Sequence, residues 1–144
     1  MAKKDLTIVF KKGIIKNITD LFDYNKYVSR KLVSISEIDM IQVVSSLNKS
    51  HYHGYVILTI ESYNSIMFID DMYPLSTVEF FETHKEDIDI FNLHYTGDFG
   101  RSMVKEIIYY LNDRYNENDM FILEDKGGLV YSFIDFVKLI DNFI

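Results

Sequence analysis

Three groups of residues in this chain have the types and spacing to do chemistry. His51 and His53 are two apart, so in an extended chain both rings point to one side, as a zinc site can require; Asp70 or Asp71 would supply a third ligand. No H-x-x-x-H pattern accompanies them. The plainer expectation is two solvent-facing histidines at the start of a strand beside Gly54, and no metal or cofactor is assigned. The pairs Asp70-Asp71 and Glu124-Asp125 form the second group, each closing a β-rich run, with Lys126 next to the later pair. Two such pairs could hold Mg²⁺ while the lysine stabilises developing charge, the arrangement of a metal-dependent hydrolase or nuclease. Against it, the pairs are far apart in sequence, and acids at strand ends are ordinary turn chemistry.

The third group is a dense acidic run: Asp70, Asp71, Glu79, Glu82, Glu86, Asp87 and Asp89, interleaved with Tyr73 and Phe80. Lys85 is the only lysine or arginine among them. Carboxylates gathered on one face around two aromatic anchors suit recognition of a basic protein surface rather than catalysis. Elsewhere the signals are weaker. Gly97-Asp98-Phe99-Gly100 lacks the lysine of a phosphate-binding loop, no serine sits in a nucleophile elbow, and His84 and His94 have no regular partner in the sequence.

The elements that must position these residues are legible as patterns. Residues 6–10 predict a first strand, Lys11-Lys12-Gly13 a turn, and residues 14–18 a returning strand, giving a basic hairpin. The lysines around it (Lys3, Lys4, Lys11, Lys12, Lys16) are expected to solubilise an edge strand; in a nucleic-acid enzyme they would instead grip phosphate. Ser36 is an N-cap candidate for a helix running to about Asn48, while 19–30 fits no single pattern. Residues 55–60 and 65–69 read as a second hairpin, broken at Pro74. A helix follows from Ser76 or Thr77 to about His84, a short helical piece over 86–93, and a loop over 95–100. From Ser102, the stripe Val104, Ile107, Ile108, Leu111 and Tyr115 gives the clearest helix. The chain closes with a strand over 120–123, a turn at Gly127-Gly128, a return over 129–131, and a helix capped by Ser132. That helix carries Phe133, Phe136, Val137, Ile140, Phe143 and Ile144 as its apolar stripe. Hairpins separated by helices predict one α+β domain over 1–144, a mainly antiparallel sheet with amphipathic helices packed on one face.

Composition narrows the function classes. Apolar residues are 48% and aromatics 15% of 144 residues, enough for a sizeable core. Cysteine is absent, which excludes thiolate metal sites and disulfides and fits a reducing cytoplasm. The apolar run near the start is too short for a signal peptide or a membrane span, so a soluble cytoplasmic chain is expected. Net charge is −7, divided as +5 over residues 1–31 and −12 over the rest. A body this acidic argues against nucleic acid and membranes and for a basic partner. The apolar 52–60 run and the Phe-rich closing helix would leave a patch uncovered in a monomer, so a homodimer stays open.

The closing run Phe121-Ile-Leu-Glu-Asp-Lys-Gly-Gly-Leu-Val-Tyr-Ser-Phe-Ile-Asp-Phe, with the general layout, resembles small acidic immunity proteins of polymorphic-toxin and contact-dependent growth inhibition systems. The resemblance covers about the last third of the chain and transfers no binding residue by position. It implies a stoichiometric, non-enzymatic inhibitor that binds a cognate toxin domain.

Overall fold

In the computed structural model, which describes residues 4–37, 40–44, 54–66, 73–125 and 127–144, the organising element is β1 (Lys4–Lys11). Its sequence alternates two surfaces: Leu6, Ile8 and Phe10 point to one side, Asp5, Thr7 and Val9 to the other. Apart from Asp5 and the terminal lysines the strand is buried, because it lies inside the sheet, antiparallel to both β5 (Ile88–Thr96) and β6 (Met120–Glu124). Among the described residues the sheet has seven strands in the order β2-β3-β4-β5-β1-β6-β7, every neighbour antiparallel. The remaining strands are β2 (Val33–Glu37), β3 (Met40–Val44), β4 (Tyr55–Glu61) and β7 (Val130–Ser132). The chain is a single α+β domain, as the patterns predict.

The helices are α1 (Tyr24–Ser29), α2 (Tyr63–Ile66), α3 (Leu75–His84), α4 (Gly97–Arg114), α5 (Phe133–Lys138) and α6 (Ile140–Phe143), with 3-10 turns at Ile18–Leu21 and Glu117–Asp119. The stripe of α4 lies on the first face of the sheet: Val104, Ile107, Ile108 and Leu111 are buried with Leu6, Ile8, Phe10, Val56, Leu58 and Leu93. Each such side chain contributes about 2 kcal/mol of burial. Gly100 permits the close approach, since a Cβ there would stand 2.6 Å from the Tyr55 carbonyl oxygen of β4. Phe133, Phe136, Ile140 and Ile144 extend this core, and the Ser132 hydroxyl accepts the Asp135 N–H at 3.3 Å, the cap expected from sequence.

Several expected elements are replaced. Residues 14–18 do not return as a strand; the chain turns away, and Asn17 caps the first 3-10 turn. With β5 and β6 as its partners, β1 is an interior strand, so its lysines do not guard an edge. The helix expected from Ser36 is absent over 36–37 and 40–44: these residues form β2 and β3, and 45–50 lie outside the described residues. The ladders with β2 on one side and β4 on the other pair the backbone of this stretch, which outweighs a helical spacing of three or four apolar residues. The return strand expected over 65–69 is not formed at 65–66, which end α2; 67–69 lie outside the described residues. The helical piece expected over 86–93 and the loop over 95–100 are instead β5, the central strand, and the first turn of α4. Helices also occupy both faces. Phe81 of α3 is buried against Val9, Ile90 and Leu123 on the second face. No helix among the described residues is long and apolar enough to cross a membrane.

Candidate functional site

The second face of the sheet divides into a covered part and an open part. Register puts Asp5 beside His94, Thr7 beside Asn92 and Val9 beside Ile90 across β1 and β5. It sets Ile57, Thr59 and Glu61 of β4 against His94, Asn92 and Ile90. On the other flank Leu123 and Phe121 of β6 stand opposite Thr7 and Val9. Helix α3 covers Val9, Ile90 and Leu123, while Asp5, Asn92 and His94 beyond it are half-buried and Thr7 is buried.

These polar side chains are tied together. His94 Nδ1 and Asp5 Oδ1 lie 2.5 Å apart; a carboxylate can only accept, so the proton sits on Nδ1. The same Asp5 oxygen accepts from Asn92 Nδ2 at 3.4 Å, and Asn92 Oδ1 accepts the Thr7 hydroxyl at 3.3 Å. Thr59 donates to Glu61 Oε1 at 2.8 Å. The network floors a cleft of about 270 Å³ walled by Glu61, Tyr73 and Asp125 as well as Asp5, Thr7 and Asn92. No lysine or arginine is among its described lining residues.

The field inside is negative. Partial burial pushes the Asp125 carboxyl above the usual range, and repulsion from Asp5 and Glu124 adds to this, against the Asp5 backbone N–H and His94. Burial followed by the charges of Asp125 and Asp5 raises the Tyr73 hydroxyl. Tyr95, on β5 but buried in the core of the first face, is pushed up to about 12, first by burial and then by Asp125.

The turn bounding the cleft is held from within. Glu124 is 3% exposed, and its Oε1 accepts from Gly127 N at 2.6 Å and Leu129 N at 3.3 Å. Gly128, at φ +69°, packs on the Tyr73 ring, and its carbonyl accepts the Thr77 hydroxyl at 2.6 Å. Of the second carboxylate pair of the hydrolase reading, Glu124 ties the turn together and Asp125 stands beside it, and both line the cleft. Asp70, Asp71, Lys126, His51 and His53 lie outside the described residues, and no group of three potential metal ligands is assembled among those described.

The acidic run is dispersed across more than one environment. Glu79, Glu82, Glu86 and Asp87 are exposed on and just after α3. Glu82 accepts the Tyr63 hydroxyl and lies 3.4 Å from Lys85 Nζ; the Tyr63 bond first, then Lys85, holds its carboxyl below the usual value. Asp89 is opposite Phe10 in register, on the other side of β5 from Ile88 and Ile90, and accepts the Gly13 N–H at 2.9 Å. Phe80 is packed edge-on against Phe81 and Phe121, with ring centroids 5.3 and 5.0 Å away, so it secures α3 to the sheet rather than standing free as an anchor. Tyr73 is half-buried at the cleft wall.

Sequence reasoning missed Asp5, Thr7, Glu61, Asn92 and His94. The available signal was the alternation of Asp5-Leu-Thr-Ile and of Asn92-Leu-His-Tyr, which sets polar residues on one side at one end of two strands. No family model, curated protein or solved structure matches this chain, so what the open face does rests on its own residues.

Proposed function

We propose that this chain is a non-enzymatic protein-binding inhibitor of the immunity type, taking a basic partner on the open end of its second sheet face. The observation that carries the reading is the cleft itself, a concave site with Asp5, Glu61 and Asp125 in its walls and no lysine or arginine among its described lining residues. Around it the surface fits a protein. Leu75, two residues on from Tyr73, is 72% exposed, and Leu129 at the supporting turn is also exposed. Glu79, Glu82, Glu86 and Asp87 extend the negative surface along α3. Apolar contacts within an acidic rim suit a cationic domain, with the carboxylates steering encounter and the leucines losing water on docking. A toxin domain with a basic, nucleic-acid-handling surface is the partner class this favours.

The test is co-expression with the product of the adjacent gene, then pull-down and a toxicity assay. The parent protein should be recovered in complex and protect the cell. Joint replacement Asp5→Asn, Glu61→Gln and Asp125→Asn should weaken the complex by at least about tenfold while the fold persists. Full protection by that variant, or no complex with the parent, would overturn the reading.

A further inference from the structure

A second pocket lies on the opposite side of the molecule, where α1 meets α4. It encloses about 220 Å³, and the rings of Phe22, Tyr27, Tyr109 and Tyr110 wall it, with the carboxylates of Asp23 and Glu106 beside them. Phe22 and Tyr27 are buried, whereas Tyr109 is 47% exposed, so the pocket has a fixed floor and an open rim. Ring faces carry negative potential, and with nearby carboxylates they make an environment for a cation that has shed part of its water.

The chain's own cations already use these rings. Lys26 Nζ stands 5.4 Å from the centroid of Tyr27 and 3.6 Å from Glu106 Oε1, and the Arg114 guanidinium lies 5.1 Å over Tyr110. Tyr27 in turn donates its hydroxyl to Glu106, which fixes the carboxylate beside the ring. Lys26 is half-exposed and held by one ion pair, a weak tether for a flexible side chain.

We infer that this pocket binds a small organic cation, an alkylammonium head, at the place where the Lys26 ammonium now rests. The volume admits one such head and little more, and the aromatic walls favour a group with methyl or methylene surface over a hydrated metal ion. Lys26 acts as an internal competitor. The site is independent of the acidic cleft, which opens on the other sheet face, so either can fail without the other.

The experiment is titration of the full chain with tetramethylammonium chloride at constant ionic strength, following the ring resonances of Tyr27, Tyr109 and Tyr110, with sodium chloride as control. Saturable shifts confined to those rings are expected, at about millimolar affinity. Lys26→Met keeps the aliphatic stem and deletes the competing charge, so it should tighten binding by about threefold, and Tyr109→Ala should weaken it by about threefold. Both residues are surface-accessible, and far-ultraviolet dichroism checks that each variant folds. Identical shifts with sodium chloride, shifts that never saturate, or a Lys26→Met variant that binds no more tightly would overturn the inference.

Discussion

At the scale of single residues, the fold makes two groups hold their protons more tightly than they would in water. Tyr95 is buried, with Asp125 and Asp5 near enough to oppose a phenolate, and its hydroxyl is pushed up to about 12 from an ordinary value of 10. The folded form therefore holds this proton more tightly than the unfolded form. Its contribution is complete below pH 10 and is lost as pH climbs towards 12, amounting to about 2–3 kcal/mol. Denaturant midpoints measured across that window should fall steeply for the parent and less for Tyr95→Phe, with tyrosinate absorbance confirming the late titration. Asp125 obeys the same sign at the acid end. Its raised carboxyl costs stability once ionised, so Asp125→Asn should match the parent well below pH 4 and be modestly more stable at neutral pH. Gly128 is constrained by geometry instead. At φ +69° with the Tyr73 ring 3.1 Å from where a Cβ would stand, Gly128→Ala should cost about 1–3 kcal/mol and displace the tyrosine that walls the cleft. Thermal melts that leave this variant at the parent's midpoint would contradict the packing described.

At the scale of elements, α3 depends on very few contacts. Thr77 and Phe81 are its buried residues; Phe81 enters the cluster with Val9, Ile90 and Leu123, and Phe80 packs against that cluster from its side. Phe81→Ala should therefore cost about 3–4 kcal/mol, and amide exchange should rise first over Leu75–His84, with α4 still protected. Uniform loss of protection would instead mean that α3 and the sheet open together. The elements legible in the sequence were those whose pattern agrees with their packing. The stripe of α4, the strand over 120–123, the glycine turn and the Ser132 cap were all readable because local propensity and tertiary burial point the same way. Those misread are the ones the sheet overrides. Ser36 offers a cap, and Ile38, Ile41 and Val44 offer helical spacing, yet 40–44 pair with β4. A short helical piece is expected over 86–93, but Ile90, Asn92 and His94 alternate with Phe91, Leu93 and Tyr95 because β5 separates two unlike faces. The cleft was invisible for a related reason: its residues come from four strands, and only the sheet order makes them neighbours.

At the scale of the whole molecule, the charge division in the sequence does not survive as two separate regions. The basic stretch is threaded through the acidic body, with β1 inside the sheet, Lys11 3.2 Å from Asp119 and Lys26 3.6 Å from Glu106. These are exposed pairs worth a fraction of a kcal/mol each, so Lys11 and Lys26 do little to anchor the fold. Glu79, Glu82, Glu86 and Asp87 leave a mostly acidic exposed surface on and just after α3, with Glu82 paired to Lys85. A partner steered by that surface should associate faster at low salt, and the rate should fall by about tenfold or more as the Debye length shrinks from ~30 Å to ~8 Å. Charge reversal of those four residues to lysine should remove most of the salt dependence while dissociation changes little, because rim charges act mainly on encounter. Replacing Lys11, Lys12 and Lys16 with glutamine makes the opposite comparison. It leaves the cleft intact and makes the molecule more negative, so association with a basic partner should be unchanged or slightly faster. Stopped-flow association rates for the three proteins separate the cases, and a partner lost by the glutamine variant but kept by the lysine variant would place recognition on the wrong side of this molecule's charge.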